Sequence, residues 1–300
     1  MKNKPSVLLL GNGINRAYDF ASWDGLLLSL QNKPLGDEDK KVLDGVPYPL
    51  QAVIMSGDHV DEQMKNISMH LAELIPPEEE QKVLRQFAQL PIEAILTTNY
   101  TYEMEKSLST DFSCKAGCKC KYRKSRNPDA SKYEAEQLYT CFELSENTPS
   151  IWHIHGEAAR PGTMIIGHYY YGKLIAKAQK YLAVHMASYK SFVYGKTDYM
   201  PNSWLDYFML GDIYIIGLGM DLSEMDLWWL VNYKKRHFPH TKITLFKPDI
   251  KSAERMLAEA YQIEVSEDGL CENAYKDYYQ WVYEQMEELL HAEQSKMITK

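Results

Sequence analysis

Ser6-Val7-Leu8-Leu9-Leu10-Gly11-Asn12-Gly13-Ile14-Asn15-Arg16 is the stretch from which the fold is read. The apolar run Val7 to Leu10 is too short for a buried helix and stops at two glycines, so it reads as a buried parallel strand entering a tight turn. Glycines at 11 and 13 let the backbone take positive φ and approach a ligand closely. A helix beginning at Ile14 then offers its unpaired N–H groups to a phosphate. This is dinucleotide-binding geometry, although Arg16 replaces the third glycine of G-x-G-x-x-G and no acidic residue closes a second strand about 20 residues later. A glycine turn joining strand to helix without any ligand is the alternative.

The 300 residues are 45% hydrophobic, which supplies a large core, and α/β folds of this length often form one domain. A formal net charge of −8 argues against DNA as the main partner. The basic start, Met1 to Lys4, leads into an apolar stretch that ends at Gly11 without a small-residue cleavage site, so no export is expected. The apolar runs Ile213 to Leu218 and Leu227 to Val231 fall far short of the ~20 residues that span a bilayer. A soluble, cytoplasmic protein with no membrane partner is the expectation. Cys114, Cys118, Cys120 and Cys141 share one window and Cys271 stands apart; in a reducing cytosol they are thiols or metal ligands before they are disulfides.

Beyond the first turn, Ile14 to Phe20 is expected to be helical, and Ser22 caps a second helix whose acidic first turn holds Asp24. Residues 31–60 are rich in Pro, Gly and Asp, and read as a connection with short helices. Met64, Ile67, Leu71, Leu74 and Ile75 recur at helical spacing, and Pro76-Pro77-Glu78 opens another helix to about Gln89; about 31–90 is thus a helical insertion and not a site. Pro91 to Thr97 is a strand that delivers Thr98-Asn99-Tyr100-Thr101 at its carboxyl end, where open α/β sheets bind ligands; Asn99 is a site residue or a helix cap.

Residues 109–149 form a basic, cysteine-bearing loop with Lys115, Lys119, Lys121, Arg123, Lys124 and Arg126. The spacing C-x3-C-x-C-x20-C is not that of a zinc ribbon, so no zinc is expected. The loop either covers an anionic ligand, with Arg123 and Arg126 over a pyrophosphate, or is merely solvated. In Trp152-His153-Ile154-His155-Gly156 both imidazoles fall on one face of a strand. They could be metal ligands, but no third ligand is fixed nearby in sequence. His153 suits a structural role and His155, at the strand end, a general base. Thr163 to Gly167 is a candidate strand. His168 to Tyr194 is a helical region whose tyrosines line a pocket or pack the core. Asp212 to Gly217 is a strand delivering Leu218-Gly219-Met220-Asp221 ahead of a helix from Ser223. Lys242 to Phe246 is another, ending at Lys247-Pro248-Asp249. A helix at Lys251 to Tyr261, a last strand at Gln262 to Val265 and a C-terminal helix over about 271–292 follow. The fold class is α/β, a Rossmann-like doubly wound parallel sheet.

These residues resemble the sirtuin (silent information regulator type) family, especially its bacterial sirtuin-like branch associated with phage defence. Gly11, Asn12, Gly13, Ile14 and Asn15 resemble the glycine loop over the NAD phosphates. Thr97-Thr98-Asn99-Tyr100 resembles the T-Q-N-I segment beside the nicotinamide ribose, and Ile154-His155-Gly156 the segment of the catalytic histidine. Gly217, Leu218, Gly219 and Asp221 are similar to the later ribose loop, with Gly219 where Ser is usual, and Lys247 opens the place of the adenosine loop. Thr101 stands where sirtuins carry Asp, zinc-knuckle spacing is absent, Ile166-Gly167-His168 replaces F-G-E, and no V-x-P follows Gly219.

The resemblance implies one catalytic domain, 1–300, with NAD as substrate: a hydrolase giving nicotinamide and ADP-ribose, in which Asn99 positions ribose and water and His155 is the base. A protein deacylase, an ADP-ribosyltransferase, and a non-catalytic NAD or ADP-ribose sensor are the alternatives. The C-terminal helix carries Tyr275, Tyr279, Val282, Met286 and Leu289 at spacings of four and three, a seam for docking on the body or for a homo-oligomer.

Overall fold

A computed structural model of the chain describes residues 4–31, 36, 41–43, 45–131, 135–267 and 275–298. Eight strands form one open sheet: β1 (Ser6–Leu10), β2 (Ala94–Thr97), β3 (Arg123–Ser125), β4 (Thr140–Phe142), β5 (Ser150–His153), β6 (Asp212–Ile216), β7 (Ile243–Phe246) and β8 (Glu264–Ser266), in the order β3-β4-β5-β2-β1-β6-β7-β8. From β5 to β8 every pairing is parallel, while β3 pairs with β4, and β4 with β5, antiparallel. Among the six parallel strands the first in sequence is central and the succession reverses across it, which is the doubly wound, dinucleotide-binding order.

Alternation along each strand explains why both faces are covered. Val7, Leu9, Leu96, Trp152, Ile213 and Ile215 join one core with the helices His168–Val193, Trp204–Leu210 and Met225–His237. Leu8, Leu10, Ile95, Ile151, Tyr214 and Ile216 join the other with Glu78–Gln89 and Tyr275–Ile298. Strands hydrophobic on both sides, here continuous apolar runs, need such a double cover. A third, smaller cluster packs Leu26, Leu27 and Leu30 against Ala52, Met55 and Met64, and onto Tyr100, Met164 and Ile166. The helices Trp23–Ser29, Tyr48–Ser56 and Val60–Glu73 thereby sit over strand ends on the core side of Tyr100.

Several expectations are corrected here. The first helix is only Gly13–Ala17, because Tyr18 N and Asp19 N turn back onto Asn15 O and Arg16 O. Residues 164–166 are buried but form no strand: Ile165 N donates to His155 O (2.8 Å), so the segment crosses the end of β5 and does not extend the sheet. The basic loop contains the β3–β4 hairpin. Arg123 and Arg126 are committed to Glu157 and Glu143, each at 2.5 Å, so neither is set over a ligand. Of the C-terminal seam, Tyr279, Val282 and Met286 are buried in the chain's own core, while Tyr275 and Leu289 stay 55% and 43% exposed. The expected start of that helix near 271, and Cys271 itself, lie outside the described residues.

Candidate active site

The turns that follow β1 and β6 meet at the reversal point of the sheet. Gly11 N donates to Ile216 O (2.9 Å) and Gly13 N to Gly217 O (2.6 Å). A Cβ at Gly11 would lie 2.6 Å from Gly217 O, one at Gly13 2.7 Å from the same atom, and one at Gly217 2.8 Å from Gly11 O. Only Gly217 of the three has positive φ, at 64°. Close passage of one turn over the other requires Gly11 and Gly13; the positive φ expected of them is not used.

The joined turns form the floor of a cavity of about 480 Å³, within the usual range for small-ligand sites of about 300–1,000 Å³. Asn12, Gly13, Thr98, Asn99, His155, Gly217, Leu218, Gly219, Asp221 and Lys247 all line it. Gly11, Ile14 and Asn15 do not. Gly11 is spent on the turn crossing, Ile14 is a core residue, and fully buried Asn15 donates from Nδ2 to Asn12 Oδ1 (2.8 Å), fixing the turn from behind. Arg16, the residue that breaks the glycine pattern, lines the cavity and makes no ion pair among the described residues. Lys247 is tied to Glu254 (2.8 Å) and Gly219 O (3.1 Å), so its charge stands at the β7 end of the cavity in a fixed place. The helical insertion, read as no part of a site, supplies Tyr48, Pro49 and Leu71 to the wall.

Asn99 is 5% exposed and held on every side. Its N–H donates to Thr97 Oγ1 (3.0 Å), its Nδ2 to Glu103 Oε1 (2.5 Å), and its carbonyl oxygen lies 2.7 Å from His153 Nδ1. Glu103 also accepts from Thr101 Oγ1 (2.6 Å), so a carboxylate is present beside Asn99 although Thr101 is not one. With one Nδ2 hydrogen engaged by Glu103, the amide keeps Oδ1 as its acceptor. His153 lies outside the cavity; its Nε2 is 2.8 Å from Glu105 and its ring packs edge-on to Tyr102 and Phe142. Burial alone would depress the His153 pKa, but the Glu105 carboxylate overrides it and raises it to about 9. This is the structural role expected of it.

His155 reaches the cavity from the end of β5. Its Nε2 is 2.8 Å from Asp226 Oδ2, and its ring lies edge-on to Tyr171. Asp226 comes from the first turn of the Met225–His237 helix, and Glu224 from its N-cap position. Burial acts to lower the His155 pKa, and Asp226 outweighs it, so the net shift is upward. Burial raises Glu224 to about 7, against a partial offset from His155. Asp226 Oδ1 and Glu224 Oε2 are buried without a hydrogen-bond partner. The three groups lie close enough together to hold a cation, yet the same set is equally a general base with its orienting carboxylate and an added acid. Asp226 and Glu224 were absent from the sequence reading. They lie some 70 residues beyond His155, and an acidic first turn is read by default as helix capping.

Residues 93–197, just over a third of the chain, match the model of the SIR2-like domain, and this stretch holds both Asn99 and His155. Two solved structures are similar at low identity. The crystal structure of a Sir2 homologue–NAD complex is 10% identical, with 97% of this chain and 90% of that one covered at a TM-score of 0.37. A Sir2 homologue mutant–ADP-ribose complex is 11% identical, with 100% and 95% covered at a TM-score of 0.37. A search of curated proteins returned no match.

Proposed function

We propose that this chain, acting as a single catalytic unit, hydrolyses NAD at the nicotinamide–ribose bond to give nicotinamide and ADP-ribose. The observation that carries the reading is the convergence of Asn99 and the His155–Asp226 pair in one cavity at the reversal point of a dinucleotide-binding sheet. The SIR2-like match over both residues supports it.

The chemistry follows from the charge of the substrate. Nicotinamide leaves NAD as a neutral molecule from a cationic ring, so no strong acid is needed; the ribosyl centre becomes oxocarbenium-like, and the site must hold the ribose, tolerate positive charge and aim water. Asn99, locked by Glu103, accepts from a ribose hydroxyl or the water through Oδ1. Asp226 accepts from Nε2–H of His155 and so selects the tautomer with a basic Nδ1, the nitrogen that takes the proton from water. Asp226, and Glu224 where it is ionised, offset the developing positive charge in a buried setting where such interactions are strong. Arg16, which makes no ion pair among the described residues, is the cation of the cavity suited to the pyrophosphate, and Lys247 must loosen its bridge to Glu254 to join it.

Incubating pure protein with NAD and separating the products by chromatography, with and without an acylated peptide, tests this. Nicotinamide and ADP-ribose without peptide are expected. Products only with peptide would indicate a deacylase or transferase, and tight NAD binding with no product a sensor. An anti-phage role by NAD depletion belongs to the same proposal and requires NAD to fall in infected cells carrying the active chain.

A further inference from the structure

The inner wall of the cleft carries more negative charge than orienting one imidazole requires. A ring nitrogen of His155, an oxygen of Asp226 and an oxygen of Glu224 all lie within 4.8 Å of one another. Asp226 is 1% exposed; its Oδ2 is 2.8 Å from His155 Nε2, while its buried Oδ1 has no hydrogen-bond partner. Glu224 Oε2 is buried and unpartnered in the same way. The charges that bear on Glu224 are those of His155, Asp226 and a further carboxylate, Asp221, with no ammonium or guanidinium among them. Buried carboxylates are ordinarily paired or bound to a metal, because an interior of low dielectric solvates them poorly. The sequence places no third ligand near His155, and the start of the Met225–His237 helix supplies two.

We propose that His155, Glu224 and Asp226 form a site for a divalent first-row transition cation, and that this cation and the general-base role of His155 exclude each other. Nitrogen and oxygen ligands stand about 2.0–2.2 Å from such ions, so two ligands of one ion are ~3 Å apart. The 2.8 Å between His155 Nε2 and Asp226 Oδ2 is close to that spacing, and Glu224 completes the set by turning its side chain inward. One imidazole and two carboxylates, with no thiolate, suit an ion that takes oxygen and nitrogen together, such as Mn²⁺. Water from the cleft, which His155 and Glu224 line, fills the remaining positions. Exclusion follows from the tautomer. A cation at Nε2 takes that nitrogen's lone pair, so the ring keeps its proton on Nδ1. The base needs the reverse, a proton on Nε2 held by Asp226 and a free Nδ1. The cation site stands on geometry alone, and the loss of base function rests on the proposed NAD hydrolysis.

The test titrates the metal-stripped full chain with Mn²⁺ and follows the EPR signal of the free aqueous ion, which broadens on binding. Mn²⁺ also passes over cysteine thiols, which take softer ions. Uptake of one Mn²⁺ per chain is expected. Glu224→Gln and Asp226→Asn should each weaken it about tenfold or more, since even residues that only hydrogen-bond to a ligand commonly cost that much. Glu62→Gln, at an exposed imidazole–carboxylate pair with His59, should leave it unchanged. NAD cleavage should fall over the Mn²⁺ concentrations that fill the site. Should Asp226→Asn fail to fold, Glu224→Gln decides. No uptake by the wild type, undiminished uptake by the folded variants, or cleavage that rises with Mn²⁺ overturns the proposal. A metal-free chain that cleaves no NAD counts against the NAD reading alone, and the EPR titration still decides the cation site.

Discussion

Asn99 owes its orientation to three groups that lie outside the cavity or at its margin: Thr97, Glu103 and His153. His155 owes its tautomer to one, Asp226. Catalysis by pre-set groups depends on such holding, since an amide or imidazole free to rotate offers little over bulk water. His155→Ala and Asn99→Ala should each reduce NAD cleavage by about 10² to 10⁴, the ordinary value of a positioned proton acceptor, and each should also lower the melting temperature, since buried Asp226 or Glu103 loses its partner; turnover is compared where the variants are folded. Asp226→Asn should retain NAD binding and lose kcat, because an amide can present its N–H to Nε2 and stabilise the wrong tautomer. Steady-state kinetics beside thermal denaturation checks all three; wild-type turnover in any folded variant contradicts the assignment. Asn99 and His155 are legible in the sequence because each follows an apolar strand by two residues, at the turn. Asp226 was not, since nothing local in a first-turn aspartate tells a cap from a partner of a distant imidazole.

At the level of elements, the crossing of the two glycine turns is the feature that shapes the floor of the cleft. Gly11 and Gly13, expected to give φ freedom and ligand approach, make room for Gly217 without positive φ, and Gly13 lines the cavity as well. Gly217→Ala combines a positive φ with a Cβ 2.8 Å from Gly11 O, so both the backbone and its neighbour must shift. A loss of about 1–3 kcal/mol of stability is expected, as for other residues forced into sparsely populated φ/ψ regions. Weaker NAD binding should accompany it, as read by urea denaturation and NAD titration. Gly219→Ala is the control: nothing lies within 4 Å of a Cβ there, and stability should hold. The β3–β4 hairpin was missed for a different reason. Its strands have three residues each and β3 is Arg-Lys-Ser, so no apolar alternation announces it; pairing with β5 and the Arg123–Glu157 bridge hold it in place.

For the whole molecule, the unusual cost is burial of ionisable groups behind the site. His153 holds a proton up to about pH 9, against 6.5 for the ordinary imidazole, so its contribution to stability is complete below pH 6.5 and is lost as pH rises toward 9. Glu80, raised to about 8 first by burial and then by Glu103, works in the same direction from pH 4.5 upward. The signature of His153 is therefore a difference: the stability gap between the wild type and His153→Gln should narrow between pH 6.5 and 9, by at most about 1.4 kcal/mol per pH unit for one proton. Calorimetry across that range checks it, and a gap that stays constant or widens contradicts the Glu105–His153 pair as its source.

The sequence by itself determined the strands of the parallel sheet, the switch from strand to helix at each glycine turn, and Asn99 and His155, each two residues beyond β2 and β5. These depend on local periodicity and turn chemistry, which contact no distant residue. Tertiary structure alone decided that Gly11 and Gly13 face Gly217, that Arg123 is tied inward to Glu157, that Asp226 reaches His155, and that Tyr279, Val282 and Met286 pack into the chain's own core. Each of those pairs joins residues far apart in sequence, and whether a charge or an apolar stripe is solvated, buried or paired is set by what the fold brings against it.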